Sequence, residues 1–183
     1  MKCAVPDNPG AQSAERHVML PDLLLPGLRL VVCGSAAGDR SAKVGAYYAG
    51  PGNKFWMTLH HIGLTPRQLD PSEYGSLLEY GIGLTDVVKG QSGMDSVIDF
   101  RHPERGDLRA RILANTPRWL CFNGKRAAQE HLRTRMVKYG LQAEPVGVTK
   151  LFVAPSTSGA ANGAWDLSVW EQLADLVRAP TGG

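Results

Sequence analysis

The fold is decided by residues 28–56, which read LRLVVCGSAAGDRSAKVGAYYAGPGNKFW. The apolar, β-branched run at residues 28–33 lies between Pro26-Gly27 and Gly34, and such a run is typical of a strand buried on both faces. The residues that follow, up to Gly38, are small and would let a ligand or another backbone approach closely. Because ligands bind at the carboxyl ends of strands in open parallel sheets, this loop is the first candidate for a functional site.

The rest of the chain alternates between strand and helix patterns. Further strands are predicted at residues 81–88, 119–122 and 150–154. Helices are predicted at residues 54–62, 71–80, 107–114, 125–139 and 165–177. In the fourth of these helices Ala128, Leu132 and Met136 share one face, which predicts that they pack on the sheet. The alternation predicts a three-layer α/β/α sandwich with a central, mainly parallel, four-stranded sheet.

Length and composition predict one globular domain. The 183 residues are 43% hydrophobic, which suits a single sizeable core. We assign residues 23–183 to this domain and residues 1–22, which lack the apolar core of a signal peptide, to a flexible lead-in. No apolar run approaches the roughly 20 residues that span a membrane, so we expect a cytoplasmic protein with no membrane partner. The net charge of +3 permits an anionic partner such as DNA without requiring one.

The cysteines and histidines predict neither a disulfide scaffold nor a metal site. Of three cysteines, Cys33 and Cys121 fall near the ends of predicted strands, where reduced cysteine packs as a small apolar residue. A cysteine-ligated iron–sulfur cluster needs four thiolates. The adjacent His60 and His61 would point in different directions on a helix. We therefore expect no metal and no cofactor.

Polar side chains follow all four predicted strands. They are Asp39 and Asn53 after the first strand, Asp86 at the end of the second, Asn123 at the end of the third, and residues 156–162 after the fourth. The patterns GxxxxGK[ST], GxGxxG and GxSxG are all missing. With Tyr47 and Tyr48, the loops predict a site for a polar, nucleotide-sized ligand with an aromatic stacking partner.

Several motifs, taken in order, resemble those of the uracil-DNA glycosylase superfamily. YYAGPGNKFW (residues 47–56) resembles a block shared by the mismatch-specific uracil/thymine glycosylases and the hypoxanthine-DNA glycosylases. GIGLTDVVKGQSGMDSVI (81–98), FNGKRAA (122–128) and APSTSGAAN (154–162) resemble the hypoxanthine branch. GLTPRQLDP (63–71) followed by LLEYGIGLTDVV (77–88) resembles the mismatch-specific branch. The resemblance covers residues 28–173, nearly the whole domain.

The resemblance implies a metal-free, monomeric enzyme whose partner is DNA containing uracil or another deaminated base. Such an enzyme flips the base out of the DNA and hydrolyses its N-glycosidic bond, which leaves an abasic site. Tyr48 aligns with the aromatic residue that stacks on the base, and Asp86 lies where relatives place a base-reading side chain. From the residues alone, Tyr48 could instead pack in the core and Asp86 could cap its loop. The other residues assigned to the base site are Gly34, Ser35, Ala36, Phe55 and Asn123.

The chain departs from the mismatch-specific branch at Ala36. The family places an asparagine there that positions or activates the attacking water, and alanine can do neither. We assign catalysis to Asn53, which could orient the water or the base, and to Asp39, whose carboxylate could stabilise positive charge on C1′. The alternatives are a turn residue for Asp39 and a helix cap for Asn53.

The last loop resembles the segment that enters DNA and pinches its backbone. Its hydroxyl groups and backbone N–H groups suit phosphate oxygens. Its tip carries neither the bulky wedge nor the arginine found in some relatives, so we expect single-stranded uracil to be at least as good a substrate as a U·A duplex. The residues assigned to DNA contact are Ser156, Thr157, Ser158, Gly159, Ala160 and Asn162.

Three functions remain open at this point. The first is a glycosylase acting on uracil, and on hypoxanthine or xanthine. The second, suggested by Ala36, is a protein of the same fold that binds damaged or abasic DNA with little or no catalysis. The third is a nucleotide-binding α/β domain unrelated to DNA, which lacks every phosphate-binding fingerprint.

Overall fold

A computed structural model of the chain describes residues 20–101 and 107–180. Its central sheet has five strands in the order β2-β1-β3-β5-β4. Four of them, β1 (Leu30–Gly34), β2 (Ile82–Asp86), β3 (Trp119–Asn123) and β5 (Lys150–Ala154), are parallel. The fifth, β4 (Gly140–Leu141), pairs with β5 in the antiparallel direction. The mainly parallel α/β fold is confirmed, with one short edge strand more than the four expected.

Helices cover both faces of the sheet, so the strands are apolar on both sides. Leu30 and Val32 pack with α2 (Phe55–His61), α5 (Leu167–Arg178) and residues of the 3-10 helix Pro71–Tyr80. Val31 and Cys33, which point the other way, pack with α3 (Leu108–Asn115) and α4 (Lys125–Leu132). This arrangement is the predicted three-layer sandwich.

Two local predictions were wrong. The helix predicted at 125–139 ends at Leu132, because Arg133 adopts the left-handed conformation with φ 55° and donates its N–H to Gln129. Met136, expected to pack on the sheet, is 89% exposed, and the chain turns back to form β4. The loop after β1 also contains a short helix, α1 (Asp39–Val44), that no pattern predicted.

The described chain begins inside the segment assigned to the lead-in. Residues 1–19 lie outside the described residues, but Leu20 is 2% exposed and belongs to the core. Leu23 exchanges backbone hydrogen bonds with Leu84 on β2, at 2.9 and 3.0 Å. In the described ranges, no helix is both long enough and apolar enough to cross a membrane.

The close approach of this segment to β2 depends on Gly83. A Cβ atom at Gly83 would lie 2.4 Å from the carbonyl oxygen of Leu23 and 2.6 Å from Cδ1 of Leu28. We predict that Gly83→Ala lowers the free energy of unfolding by about 1–3 kcal/mol, because overpacking against backbone cannot relax cheaply. The measurement is urea unfolding. Gly75→Ala is the control, because a Cβ there meets nothing within 4 Å; equal stability of the two variants would contradict the prediction.

Candidate active site

A cavity of about 530 Å³ lies at the carboxyl edge of the sheet. Its volume falls in the range of small-molecule sites. All four loops expected to meet there contribute to its wall. The lining comes from residues 20, 34–41, 47, 48, 50, 51, 53, 86, 93–96, 123–126 and 156–161. The topological rule for parallel sheets therefore predicted the edge of the sheet at which this cavity lies.

Asp86 forms the buried floor of the cavity. It ends β2, pairs in register with Gly34 on β1 and is 3% exposed. A Cβ atom at Gly34 would lie 2.6 Å from Asp86 Oδ1, so only glycine gives this carboxylate its room. Oδ2 lies 3.3 Å from Nζ of Lys89. Oδ1 has no hydrogen-bond partner among the described residues.

Burial raises the pKa of the Asp86 carboxyl, and Lys89 opposes this rise. The Lys89 ammonium also lies 2.7 Å from Asp22 Oδ1 and donates to Tyr47 Oη at 2.9 Å. Arg111 donates to the other Asp22 oxygen at 2.7 Å and to the carbonyl of Asp86 at 2.9 Å. Burial alone would raise the pKa of Asp22, but its hydrogen bonds and the Lys89 charge hold that pKa below its usual range. Two carboxylates and two cations thus form one network beneath the cavity.

Tyr48 brings an aromatic ring and a buried hydroxyl to the same floor. Its backbone is left-handed, with φ 55°, a conformation that costs a non-glycine residue about 1–3 kcal/mol and is often found at functional sites. The ring is half-buried, lines the cavity and packs on Phe55 with centroids 4.0 Å apart. The hydroxyl makes no hydrogen bond of normal geometry with the described residues. Burial and the nearby Asp86 carboxylate both raise the pKa of the Tyr48 hydroxyl, and the Asn123 side chain offsets part of that rise.

Asn123 ties the ends of β3 and β5 together. Its Nδ2 donates to Thr157 Oγ1 at 2.8 Å, and its Oδ1 accepts from the Thr157 N–H at 2.9 Å. Thr157 is fully buried, so its hydroxyl holds the loop rather than facing solvent. Ser156 and Ser158, which the sequence predicts to contact DNA, are partly exposed and also line the cavity.

The two residues assigned to catalysis both line the cavity, Asp39 at its exposed rim. Asp39 occupies the first turn of α1, where Ser92 Oγ lies 3.4 Å from its Oδ1. Asn53 Oδ1 accepts from the N–H of Phe55 at 3.0 Å and so satisfies the first N–H of α2, although Lys54 and not Asn53 is the N-cap residue. Ala36 also lines the cavity and brings only a methyl group to it.

Phe55 and Asn162 do not line the cavity. Phe55 is fully buried behind Tyr48, which it supports. Asn162 is exposed and its Oδ1 accepts a hydrogen bond from Lys54 Nζ. Among the described residues, no group of three or more His, Cys, Asp or Glu side chains could hold a metal ion.

The sequence matches a family model, the uracil DNA glycosylase superfamily, over residues 21–174. The chain belongs to this superfamily. Its fold is also similar to the solution NMR structure of a candidate uracil DNA glycosylase from Methanosarcina acetivorans, with a TM-score of 0.65. The two are 24% identical, and the match covers 89% of this chain and 99% of that one. Family membership supports a DNA glycosylase role for the protein.

Sequence reasoning missed most of the charged network beneath this cavity. Lys89 lies three residues after Asp86, and Tyr47 lies next to Tyr48. Both are therefore close in sequence to residues that were assigned to the base site. Asp22 was placed in the lead-in, and Arg111 lies on a helix with an ordinary polar face. The contacts of Asp22 with Thr85 and Arg111 span 63 and 89 residues, and no local pattern reports such distances.

We predict that Lys89→Met lowers the free energy of unfolding at neutral pH by about 3 kcal/mol, because it leaves the buried Asp86 carboxylate without its counter-ion. The pKa of Asp86 then rises further, and protonation neutralises the carboxyl as the pH falls. The loss of unfolding free energy caused by Lys89→Met should therefore become smaller as the pH is lowered from neutral to mildly acidic. Urea unfolding at both pH values measures it.

Lys138→Met makes the same chemical change at an exposed position and is the control. A loss for Lys89→Met no larger than that of the control, or one independent of pH, would refute the counter-ion role.

Proposed function

We propose that this superfamily member is a monofunctional uracil-DNA glycosylase that also accepts hypoxanthine or xanthine. It flips the deaminated base out of DNA into the cavity and hydrolyses its N-glycosidic bond, leaving an abasic site. The observation that carries the proposal is the floor of the cavity. There, the free oxygen of Asp86 and the unpaired hydroxyl of Tyr48 both lie close to Gly34, 2.6 and 3.5 Å from where its Cβ would be.

These two groups are complementary to the edge of a deaminated base. Uracil, hypoxanthine and xanthine all present a ring N–H beside a carbonyl oxygen. The carboxylate of Asp86 accepts from the N–H, and the hydroxyl of Tyr48 donates to the carbonyl. Cytosine has an amino donor where uracil has the carbonyl oxygen, and a ring nitrogen acceptor where uracil has the N–H. It therefore mismatches both groups of the site and is the most informative comparison.

Hydrolysis breaks the bond between C1′ and the base nitrogen, and the electron pair leaves with the base. A water oxygen bonds to C1′, and its proton is released. Asp39 stabilises the positive charge that develops at C1′, and the amide of Asn53 orients the water. With a methyl group at Ala36, these two residues carry the work that the family gives to an asparagine.

The contacts to the DNA backbone come from the last loop and the start of α4. Ser156 and Ser158, with the backbone of Gly159 and Ala160, offer hydrogen bonds to phosphate oxygens. Lys125 and Arg126 line the same cavity and add positive charge. We expect one protein molecule to bind the DNA. Because these contacts are to phosphates, the affinity for DNA should fall steeply as the salt concentration is raised.

The test is a panel of oligonucleotides that carry uracil, hypoxanthine, xanthine, thymine or cytosine, assayed by single-turnover excision and alkaline cleavage. We predict excision of uracil and no excision of cytosine. Asp86→Asn should lower uracil excision by about tenfold or more, because the charge-assisted acceptor is lost. The wild-type rate should fall as the pH drops through the raised pKa of Asp86, and this fall should be missing in the variant.

A panel in which no base is excised would contradict the proposal. Tight binding to abasic DNA in that case would favour the second candidate, a binding protein without turnover. Ala36 motivates this candidate, because it leaves the usual catalytic position without a polar group.

Asp39→Ala and Asn53→Ala are each predicted to slow single-turnover excision by about tenfold or more. Asn53→Asp separates its two roles, because it keeps the oxygen that caps Phe55 and replaces the amide nitrogen. The Asn53→Asp variant should fold normally and still excise uracil slowly. Asp175→Ala removes a carboxylate that is 81% exposed on α5 and is the control. Wild-type rates for folded Asp39→Ala and Asn53→Ala would reject both assignments.

A further inference from the structure

Met94 is a large apolar side chain that stands in solvent at the rim of the cavity. It is 68% exposed, yet it contributes to the cavity lining. Apolar side chains of this size are normally buried on folding. Because Met94 is exposed and lines the cavity, its side chain can contact a ligand that enters the cavity.

The loop that carries Met94 is held at its base and along one side. At its base, Gln91 Oε1 accepts from the N–H of Asp99 at 2.9 Å, and Gln91 Nε2 donates to the Asp99 carbonyl at 3.3 Å. Along its side, the N–H of Gly93 donates to the carbonyl of Ala37 at 2.9 Å. The N–H of Val97 donates to the Met94 carbonyl at 2.9 Å, which closes a turn with Met94 as its first residue. These bonds hold the Met94 backbone firmly beside the first loop of the site.

Gly93 lets this turn form. Its φ is +133°, a value that disfavours other residues, and a Cβ atom there would lie 2.7 Å from Cγ2 of Val97. The side chain of Val97 therefore lies directly against the backbone that precedes Met94. The side chain of Met94 is left pointing away from its own loop's packing, as its exposure shows.

The loop after β5 brings no large apolar side chain to the cavity lining. Residues 159–161 are glycine, alanine and alanine. They follow β5, while Met94 follows β2, and the sheet order puts these strands three positions apart. At about 4.8 Å per strand the two strands are about 14 Å from each other. The cavity lining thus includes one loop of small residues and, about three strands away, one loop with an exposed methionine.

We propose that Met94 is the wedge that enters the base stack and fills the gap left by the extruded nucleotide. This inference rests on the proposed function, since it needs a base to be flipped into the cavity. Proteins that unstack DNA insert apolar side chains, methionine among them, between base steps. The unbranched and flexible methionine side chain can adapt to the irregular gap between neighbouring bases.

The experiment compares single-turnover excision from a U·A duplex and from the same strand alone, at fixed salt. We expect Met94→Ala to lower duplex excision by about tenfold and to leave single-strand excision within about twofold, because only the duplex stack resists extrusion. Met94→Leu should restore most of the duplex rate. Met94→Gln, of similar length but polar, should not. Met136→Ala is the control, since Met136 is also exposed but does not line the cavity.

Equal losses on duplex and single strand, or a duplex rate unchanged by Met94→Ala, would overturn the wedge. A second readout is independent of bond cleavage: 2-aminopurine placed beside the target in the duplex brightens when the stack opens. Wild-type protein and Met94→Leu should brighten it, and Met94→Ala should not. If no base is excised at all, the proposed function fails, and the fluorescence comparison still decides the wedge.

Discussion

The ammonium group of Lys89 is the interaction on which the rest of the site depends. It lies within 3.3 Å of two carboxylates, those of Asp22 and Asp86, and donates to the phenol of Tyr47. Without a cation there, two acidic groups would share one poorly solvated volume, and at least one would have to take up a proton. With it, the carboxylate of Asp86 can remain charged at 3% exposure while its second oxygen has no hydrogen-bond partner among the described residues.

The same contact explains why the first described residues belong to the domain. Lys89 donates to the carbonyl of Leu20 and pairs with Asp22, so the segment before β1 is bound to the end of β2. Leu23 then adds its hydrogen bonds to Leu84. The position of Asp86 is therefore fixed from two sides, by its own strand and by a segment about sixty residues earlier.

What could be predicted from the sequence follows from two short-range facts and one rule. Runs of apolar, β-branched residues located the four long strands, and glycine, asparagine or proline marked the end of three of them, β1, β3 and β5. The rule that ligands bind at the carboxyl ends of parallel strands then brought Gly34, Asp86, Asn123 and Ser156 to one cavity. No contact between distant residues had to be known.

The remaining features depend on contacts that a local pattern does not contain. The residues after α4 keep a helical composition up to Tyr139, yet Arg133 turns left-handed and Val137, 7% exposed, packs in the core instead. β4 exists because β5 offers it an edge. Phe55 and Thr157 belong to motifs that resemble a ligand site, but both are buried. Phe55 packs against Tyr48, and Thr157 is hydrogen-bonded to Asn123.

Charge is divided within the site in a way that matches its proposed ligand. Beneath the cavity, Asp22 and Asp86 are balanced by Lys89 and Arg111, so the floor is polar but has no net charge. Such a floor accepts a neutral base through hydrogen bonds and gives no attraction to a phosphate. The positive charge lies elsewhere on the wall, at Lys125 and Arg126, and the negative charge of Asp39 lies at the rim. A nucleotide that enters base first places each of its parts, base, sugar and phosphate, against the wall that suits it.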